Sequence, residues 1–380
     1  MIYDGVQPVK WVSVKRSGLR RNAEAIRRHL EAGSAAGRAP SLIAVVKADA
    51  YGHGLVQAAE VFEEAGVDMF AVTTADEALD LRAAGIESDI LVFLPPAEDH
   101  LQALLYADIT MTVADGADAA RIGAAATRLQ RSARVHLKVD SGMGRLGVLP
   151  GDAAAVAAEI GQTAGIALKG VYTHFARALD PNAAPTNAQF ATFRSTLAAL
   201  TQAGIDPGMR HCANSAGILL DSRYWLDAVR PGTILYGQYP AGHLPKPLTL
   251  SDSWRLNVRI AALRSVPSGT AVGYGGEFVT RRPTRLAVLP LGYADGFTVA
   301  PSSTMSGMRG VKSILAGLRP GHTGPAVTIR DRKAPVAGRV AMQLTSVDVT
   351  DIPDVAVGDI VTVPARRIMT SSRIPRIYED

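Results

Sequence analysis

Short apolar runs alternate with longer amphipathic stretches along the first two thirds of the chain. The runs are rich in β-branched residues, as buried strands are, and the stretches between them have the apolar spacing of helices that cover a core on one face. A further helix is predicted at 18–32, before the first run. The predicted strands are LIAVVK (42–47), MFAVT (69–73), ILVFL (90–94), ITMTV (109–113), RVHLKV (134–139), LKGVYTH (168–174), GMRHCA (208–213) and DAVRPGTILYG (227–237). Eight such repeats predict a TIM-like (β/α)8 barrel rather than an open sheet, which usually has fewer strands.

The pattern changes after PAGHLPKP (240–247). Beyond it, strands of alternating polarity such as LNVRIAALRSV, TRLAVLPLGY, KAPVAGRVAM and SVDVTDI are separated by Gly/Pro turns without helices of useful length, which predicts a mostly antiparallel β domain. We therefore predict a barrel domain over 10–240 and a β domain over 241–380. The opening strand, within residues 1–14, could pair with either domain. Residues 300–325 are predicted to form a long basic insertion, to which we assign no function.

Composition restricts the function classes. The chain has 380 residues, of which 47% are hydrophobic, enough for two domains with cores of their own. The net charge of +5 comes from scattered basic residues without interleaved aromatics, which favours attraction of small anions over nucleic-acid binding. The single cysteine, Cys212, excludes a disulfide framework and a multi-cysteine metal site. No apolar run is long enough for a membrane helix, and the N-terminus has no secretory pattern, so we expect a cytoplasmic protein with no bound metal.

Polar side chains stand at the ends of several predicted strands. Barrel enzymes carry their active sites at the C-terminal ends of the strands, so these residues are expected to line one mouth. A lysine that is desolvated there and lies near other cations has a lowered pKa and becomes nucleophilic toward carbonyls, as a Schiff base with pyridoxal 5′-phosphate (PLP) requires. A hydroxyl and a glycine turn nearby could hold the phosphate. The residues are Lys47, Lys138, His174, Asn214, Ser215, Arg230, Gly232 and Thr233.

Each of these residues also has a structural interpretation. Lys47 could pair with a carboxylate such as Asp49, and His174 could be a hydrogen-bonded core residue. Ser215 could cap the next helix. The tyrosines of GYGGEF (273–278) and GYADG (292–296) could pack beside ordinary β turns.

Taken together, eight stretches resemble the alanine racemase family. In chain order they are AVVKADAYGHG (44–54), HLKVDSGMGRLGV (136–148), YTHFA (172–176), ANSAG (213–217), VRPGTILYG (229–237), VGYGGEF (272–278), LPLGYADG (289–296) and AGRVAM (337–342). The resemblance covers nearly the whole chain. It implies a PLP enzyme of fold type III, with a barrel and a β domain, that interconverts L-alanine and D-alanine and supplies D-alanine for cell-wall synthesis.

The resemblance also implies a two-base mechanism. Lys47 would bind PLP and act as one acid/base group, and Tyr274 would be the other, because the proton must leave one face of the α-carbon and return on the opposite face. A tyrosine near pKa 10 needs help to act as a base, which the family takes from a neighbouring histidine, here His174, and from arginines. In the family this tyrosine reaches the partner subunit's site, so a head-to-tail homodimer is implied.

Further roles follow from the same resemblance. Arg230 would face the pyridine nitrogen and leave it unprotonated, and Arg145 would pair with the substrate carboxylate. Lys138 would be carbamylated and orient Arg145, and a plain contact with Asp140 is the alternative. The phosphate would be held by Tyr51, Ser215, Gly232 and Thr233, with Asn214 beside them, while Tyr293 and Met342 would border the substrate.

Two positions depart from the family. Gln343 follows AGRVAM where an aspartate is usual, which leaves serine or several amino acids open as substrates beside alanine. Arg366-Arg367 stand where a Tyr-Glu pair is usual, so either Arg366 replaces the tyrosine as a phosphate donor or the phosphate is held more loosely.

Two other classes of PLP protein share parts of the architecture. Barrel-type decarboxylases usually carry a cysteine in the β domain, whereas PLP carriers that do not racemise have no second domain.

Overall fold

The computed structural model describes residues 8–34, 39–299 and 325–380. Its contacts divide the chain into two compact units, Arg16–Ser253 and Met1–Lys15 with Trp254–Asp380. The sequence pattern placed the division earlier, after residue 240. The segment up to Ser253 stays with the first unit because Asn22 fastens it. The Asn22 amide donates to the carbonyls of Leu235 and Ser251 at 3.0 Å each, and its oxygen accepts the Ser251 N–H at 2.7 Å.

The first unit is a closed barrel of eight parallel strands, as the alternation predicts. Its core includes Ile43, Val45, Met69, Ala71 and Leu91. The strands are β2 (Ser41–Val45), β3 (Met69–Val72), β4 (Asp89–Val92), β5 (Thr110–Val113), β6 (Ala133–Lys138), β7 (Ile166–Tyr172), β8 (Met209–Asn214) and β9 (Ala228–Arg230). The helical segments are α1 (Arg16–Gly33), α2 (Lys47–Gly52), α3 (Leu55–Glu64), α4 (Ala75–Ala83), α5 (Glu98–Tyr106), α6 (Gly116–Arg128), α7 (Ala153–Gln162), α8 (Ala184–Gln202) and α9 (Ser215–Leu220).

Two predicted strands are shorter in the structure. The first barrel strand ends at Val45, so Lys47 opens the segment that follows it. The last strand ends at Arg230, whereas the prediction ran to residue 237. Pro231 has no N–H to continue the ladder, and Thr233–Tyr236 turn into a 3-10 helix instead. These shorter strands leave both segments free to turn across the mouth of the barrel.

The second unit consists of small sheets that are mostly antiparallel, as predicted. The opening strand, which could have joined either unit, pairs antiparallel with Trp254–Arg259 and parallel with Arg376–Glu379. The strands are β1 (Lys10–Lys15), β10 (Trp254–Arg259), β11 (Ala262–Val266), β12 (Ala271–Val272), β13 (Phe278–Val279), β14 (Thr284–Leu289), β15 (Ala326–Ile329), β16 (Arg332–Pro335), β17 (Thr345–Asp348), β18 (Ile360–Val363) and β19 (Arg376–Glu379). The sheet orders are β16-β15-β18-β10-β1-β19, β11-β14-β17 and β12-β13.

The basic insertion predicted over 300–325 lies, except for Pro325, outside the described residues. No helix in the described part of the chain combines the length and the apolar composition that a membrane crossing needs.

Candidate active site

The C-terminal ends of the barrel strands surround a cavity of about 220 Å³. Seven of the eight strand-end residues named from sequence line it together, as does Tyr51: Lys47, Tyr51, His174, Asn214, Ser215, Arg230, Gly232 and Thr233. Lys138 is the exception, because it does not reach the lining. Sequence reasoning missed the apolar part of the wall, which includes Phe93. Phe93 directly follows β4, so the strand-end rule that selected the polar residues could also have selected it.

Lys47 sits at the start of an unusual turn. Ala48, Asp49, Ala50 and Tyr51 all have φ between 50° and 56°, so these four non-glycine residues of α2 form a left-handed helical turn. The carboxylate of Asp49 accepts the N–H of Leu55 at 3.0 Å and so links this turn to α3. Burial lowers the pKa of Lys47, the charge of Arg145 lowers it further, and the charge of Glu77 opposes both. A neutral amine is therefore more accessible here than on an exposed lysine.

The left-handed turn brings Tyr51 against the segment that follows β9, the strand paired with β2. Its ring stacks on Tyr236, with ring centroids 4.8 Å apart, and the Tyr236 hydroxyl donates to the carbonyl of Val45. A Cβ on Gly232 would lie 2.3 Å from the Tyr51 hydroxyl oxygen. Only glycine at position 232 lets this hydroxyl approach so closely.

Ser215 faces the same glycine and does not cap its helix. Asn214 is the cap of α9, since its side-chain oxygen accepts the N–H of Gly217 at 3.0 Å. The Ser215 hydroxyl oxygen instead accepts the N–H of Gly232 at 2.9 Å. The hydroxyl groups of Tyr51 and Ser215 therefore both approach Gly232.

Arg230 is buried without a carboxylate among its hydrogen-bond partners in the described chain. It donates to the carbonyls of Thr173 (2.6 Å) and Cys212 (3.2 Å), to Nδ1 of His211 (2.7 Å) and, at 3.4 Å, to Nδ1 of His174. Burial lowers its pKa to about 10, so the guanidinium keeps its charge at neutral pH. Because it can only donate, Nδ1 of His211 must be an acceptor.

A second histidine extends this chain of contacts. Nε2 of His211 lies 2.9 Å from Nδ1 of His136. Since Nδ1 of His211 accepts from Arg230, its Nε2 carries the hydrogen and donates to His136. Burial, followed by the charge of Arg230, lowers the pKa of His136 to about 3 and holds the pKa of His211 well below its usual value. Sequence reasoning missed both histidines.

Lys138 lies deeper in the barrel. Its Nζ donates to the carbonyl of Val139 at 3.3 Å and sits 5.0 Å above the Tyr172 ring. Burial, and after it the charge of Arg230, lowers its pKa to about 7. The carboxylate of Asp140 accepts backbone N–H groups of Gly142, Met143 and Arg145 and so shapes the loop that carries the Arg145 guanidinium. Arg145 itself is exposed and does not line the cavity.

The remaining predicted residues lie on the β unit. Tyr274 is 74% exposed and, with Met342 and Gln343, lines a surface depression of about 550 Å³. Tyr293 is exposed and begins a 3-10 turn. The N–H of Tyr293 donates to the carbonyl of Ala341 at 3.1 Å, and the N–H of Ala294 donates to the carbonyl of Met342 at 3.0 Å. These bonds hold Tyr293 and Met342 together. Arg366 is exposed at the start of another 3-10 turn.

Two family models match nearly the whole chain. "Alanine racemase, N-terminal domain" matches residues 14–240, and "Alanine racemase, C-terminal domain" matches residues 253–373. The chain belongs to the alanine racemase family. Both parts of the candidate site fall within these matches, since the cavity residues lie in the first range and Tyr274, Tyr293, Met342 and Gln343 lie in the second.

Individual alanine racemases align over almost their full length. The protein of Methanococcus maripaludis is 36% identical over 97% of this chain and 98% of its own, and that of Desulfovibrio desulfuricans is 35% identical over 97% and 98%. Among solved structures, alanine racemase of Clostridium difficile 630 gives a TM-score of 0.87 at 29% identity, with 98% of this chain and 96% of that chain covered. Alanine racemase of Bacillus anthracis with bound L-Ala-P gives 0.83 at 26% identity, covering 99% and 96%. The family is PLP-dependent.

Proposed function

We propose that this chain interconverts L-alanine and D-alanine, with PLP as cofactor and with Lys47 and Tyr274 as its two acid/base groups. The observation that supports the cofactor assignment most directly is the cavity wall. It brings an amine of lowered pKa, a buried guanidinium and three hydroxyl groups to one mouth of the barrel. This set of donors suits a small anionic ring compound with one carbonyl group.

The individual groups fit PLP. Ser215 and Tyr51 meet at Gly232, where a Cβ would fill the space, so we assign the phosphate to their hydroxyl groups and to Thr233. Lys47 would hold the cofactor through Nζ. Arg230 would face the ring nitrogen, and since it keeps its own protons it would leave that nitrogen unprotonated.

When bound, PLP withdraws electrons from the α-carbon of an amino acid and thereby makes its C–H bond acidic. Lys47 takes or returns the proton at Nζ on one face, a task for which its lowered pKa suits it. The phenol oxygen of Tyr274 serves the other face. Because Tyr274 is largely exposed on the β unit, we assign it to the site of a second copy of the chain, in a head-to-tail homodimer.

Two groups around the mouth would orient the substrate. The Arg145 guanidinium would bind the substrate carboxylate through two parallel hydrogen bonds. Burial lowers the pKa of Lys138 to about 7, so a large share of this amine is neutral at physiological pH, and the neutral amine is the form that CO2 carbamylates. His174 contacts Arg230 and would assist Tyr274, and Arg366 would contribute to the phosphate site. Tyr293 and Met342 would border the substrate.

A second substrate assignment has one observation in its favour. Gln343, an uncharged side chain, shares the depression that also holds Tyr274 and Met342. Its amide can both donate to and accept from a hydroxyl group, which favours serine as a further substrate. Chiral chromatography of the products from alanine, serine and lysine distinguishes the two substrate assignments. If serine turns over faster than alanine, serine is the preferred substrate.

The proposal is tested by incubating PLP-loaded protein with L-alanine in deuterated water and following the α-proton by NMR. We expect exchange with inversion to D-alanine. Absence of exchange would indicate a protein that binds PLP without racemising alanine and would contradict the proposal.

Two variants test the roles of the acid/base groups. Lys47→Ala should lose the absorbance of covalently held cofactor. Tyr274→Phe should keep that absorbance and lose most turnover of at least one enantiomer, and unchanged rates in both directions would refute the two-base assignment.

A further inference from the structure

Glu77 belongs to the first turn of α4, which starts directly after β3. The Thr74 hydroxyl accepts the Glu77 N–H at 3.3 Å, and Oε2 of Glu77 accepts the N–H groups of Thr73 at 2.9 Å and Thr74 at 3.2 Å. This arrangement is a capping box, which satisfies N–H groups that the start of any helix leaves unpaired. It uses one carboxylate oxygen only.

The other oxygen reaches a different part of the barrel. Oε1 of Glu77 accepts the N–H of Ala48 at 2.6 Å, across 29 positions of sequence. That N–H belongs to the peptide bond between Lys47 and Ala48. A capping box does not need this contact, so the carboxylate has a second task beyond starting its own helix.

Ala48 is also the first residue of the left-handed turn, with φ 54°. At this residue the chain leaves the course that a strand or an ordinary helix would take, and a charged acceptor holds the N–H at the point of departure. Fixing this peptide plane fixes the backbone from which Lys47 projects. The same plane sets the direction of the turn that carries Tyr51 to Gly232.

We propose that Glu77 is a positioning residue for Lys47. The Glu77 carboxylate holds the peptide bond between Lys47 and Ala48 and places a negative charge beside the Lys47 amine. The role of Lys47 in this inference rests on the proposed function, whereas the contact between Glu77 and the Ala48 N–H does not. The charged and titratable groups around the Lys47 amine include Arg145, His174 and Glu77, and Tyr51 and Arg230 line the same cavity as Lys47. Among these five, Glu77 supplies the negative charge.

A matched control occurs further along the barrel. Asp118 lies in the first turn of α6 and accepts the N–H of Ala114, the residue after β5, at 3.0 Å. It therefore makes to its own preceding strand the contact that Glu77 makes to Thr73, but its other oxygen pairs with Arg121 and no catalytic residue has been placed at that strand end. Glu77→Gln and Asp118→Asn each remove one charge from a helix start that contacts the end of the preceding strand, and of the two residues Glu77 also contacts the segment after β2.

The first readout needs neither cofactor nor turnover. The apo-protein is labelled with an amine-specific reagent across a pH series, and mass spectrometry follows modification of the peptide that contains Lys47. Removal of the carboxylate charge should let Lys47 lose its proton at lower pH, so the labelling curve of Glu77→Gln shifts downward in pH while that of Asp118→Asn coincides with the wild type. Coincident curves for all three proteins would overturn the proposal. Since turnover is not measured, this result stands apart from the test of racemase activity.

The second readout is kinetic. We expect kcat of Glu77→Gln to fall on the order of tenfold with little change in KM, because a displaced reacting group costs rate more than binding. Glu77→Asp, which keeps the charge on a shorter side chain, should retain the labelling curve and lose kcat. Thr74→Ala loosens the helix start but leaves both oxygens of Glu77, so it should change neither curve nor kcat. Equal losses of kcat in Thr74→Ala and Glu77→Gln would assign Glu77 to helix capping alone and overturn the proposal. If Glu77→Gln does not fold, Glu77→Asp and Thr74→Ala still show whether Glu77 positions Lys47.

Discussion

Ala48 is an exposed alanine held in the left-handed region, and replacing it with glycine should stabilise the barrel unit. A non-glycine residue in that conformation costs roughly 1–2 kcal/mol. Glycine removes the cost but makes the unfolded chain more flexible, which takes back about 0.4–1 kcal/mol. Because the Ala48 methyl is in solvent, its removal leaves no cavity. The net expectation is a gain of about 0.5–1 kcal/mol.

Ala50 has the same backbone conformation but is fully buried. Its methyl contributes about 1 kcal/mol of burial that glycine would lose, so Ala50→Gly should come out near zero. Ala198 is exposed inside α8, four residues before the end of this ordinary right-handed helix. There the same substitution should destabilise by about 0.5–1 kcal/mol. The three variants make one chemical change and differ in φ and burial.

The assay is thermal unfolding of the apo-protein followed by calorimetry, with all variants in one buffer. For a unit of this size about 1 kcal/mol corresponds to roughly 2–4 °C, so Ala48→Gly should raise the Tm of the barrel transition by about 1–3 °C and Ala198→Gly should lower it by a similar amount. If Ala48→Gly lowers the Tm as Ala198→Gly does, the left-handed turn is not strained in the way its φ angles indicate.

Two further predictions concern the buried lysine and the glycine beside Tyr51. The pKa of Lys138 is about 7 in the folded protein and 10.5 in the unfolded chain, so the unfolded chain binds more protons between these values and the stability of the fold rises with pH across that window. In CO2-free buffer, Lys138→Met should therefore flatten the rise in Tm from pH 7 to pH 9. An unchanged rise would contradict the lowered pKa of Lys138. Gly232→Ala would place a Cβ 2.3 Å from the Tyr51 hydroxyl oxygen and should weaken PLP binding about tenfold or more in a fluorescence titration, whereas unchanged affinity would exclude this corner as the phosphate site.

The barrel was predictable because its signal is repetitive. Apolar runs and amphipathic stretches follow one another eight times, and the closed barrel forms as that alternation indicates. The place of Lys47 followed from the same pattern, since a lysine next to a buried run lies near a strand end. These are local properties, which a sequence displays directly.

The parts that were not predictable depend on contacts between distant residues or on unfavourable backbone angles. ADAY contains no glycine and looks like the start of an ordinary helix, so nothing in it indicates four left-handed residues. His136 and His211 are 75 positions apart and meet only because β6 and β8 both face the barrel interior. Gly170 lies between them on β7, where a Cβ would come within 2.7 Å of the His136 ring. Such a requirement is invisible before the strands are assembled.

The charges at the mouth of the barrel follow from one competition. Burial is the largest influence on the pKa values of four groups: Lys47, Lys138, His174 and His211. The next largest is the charge of Arg230 for Lys138, His174 and His211, and the charge of Arg145 for Lys47. An arginine starts from so high a pKa that burial brings it only to about 10, whereas the same burial takes lysines and histidines toward their neutral forms. Arg230 therefore keeps its proton while its neighbours become able to give theirs up. A fixed positive charge beside neutral bases is what a site needs if it is to bind an anionic cofactor and remove a proton at neutral pH.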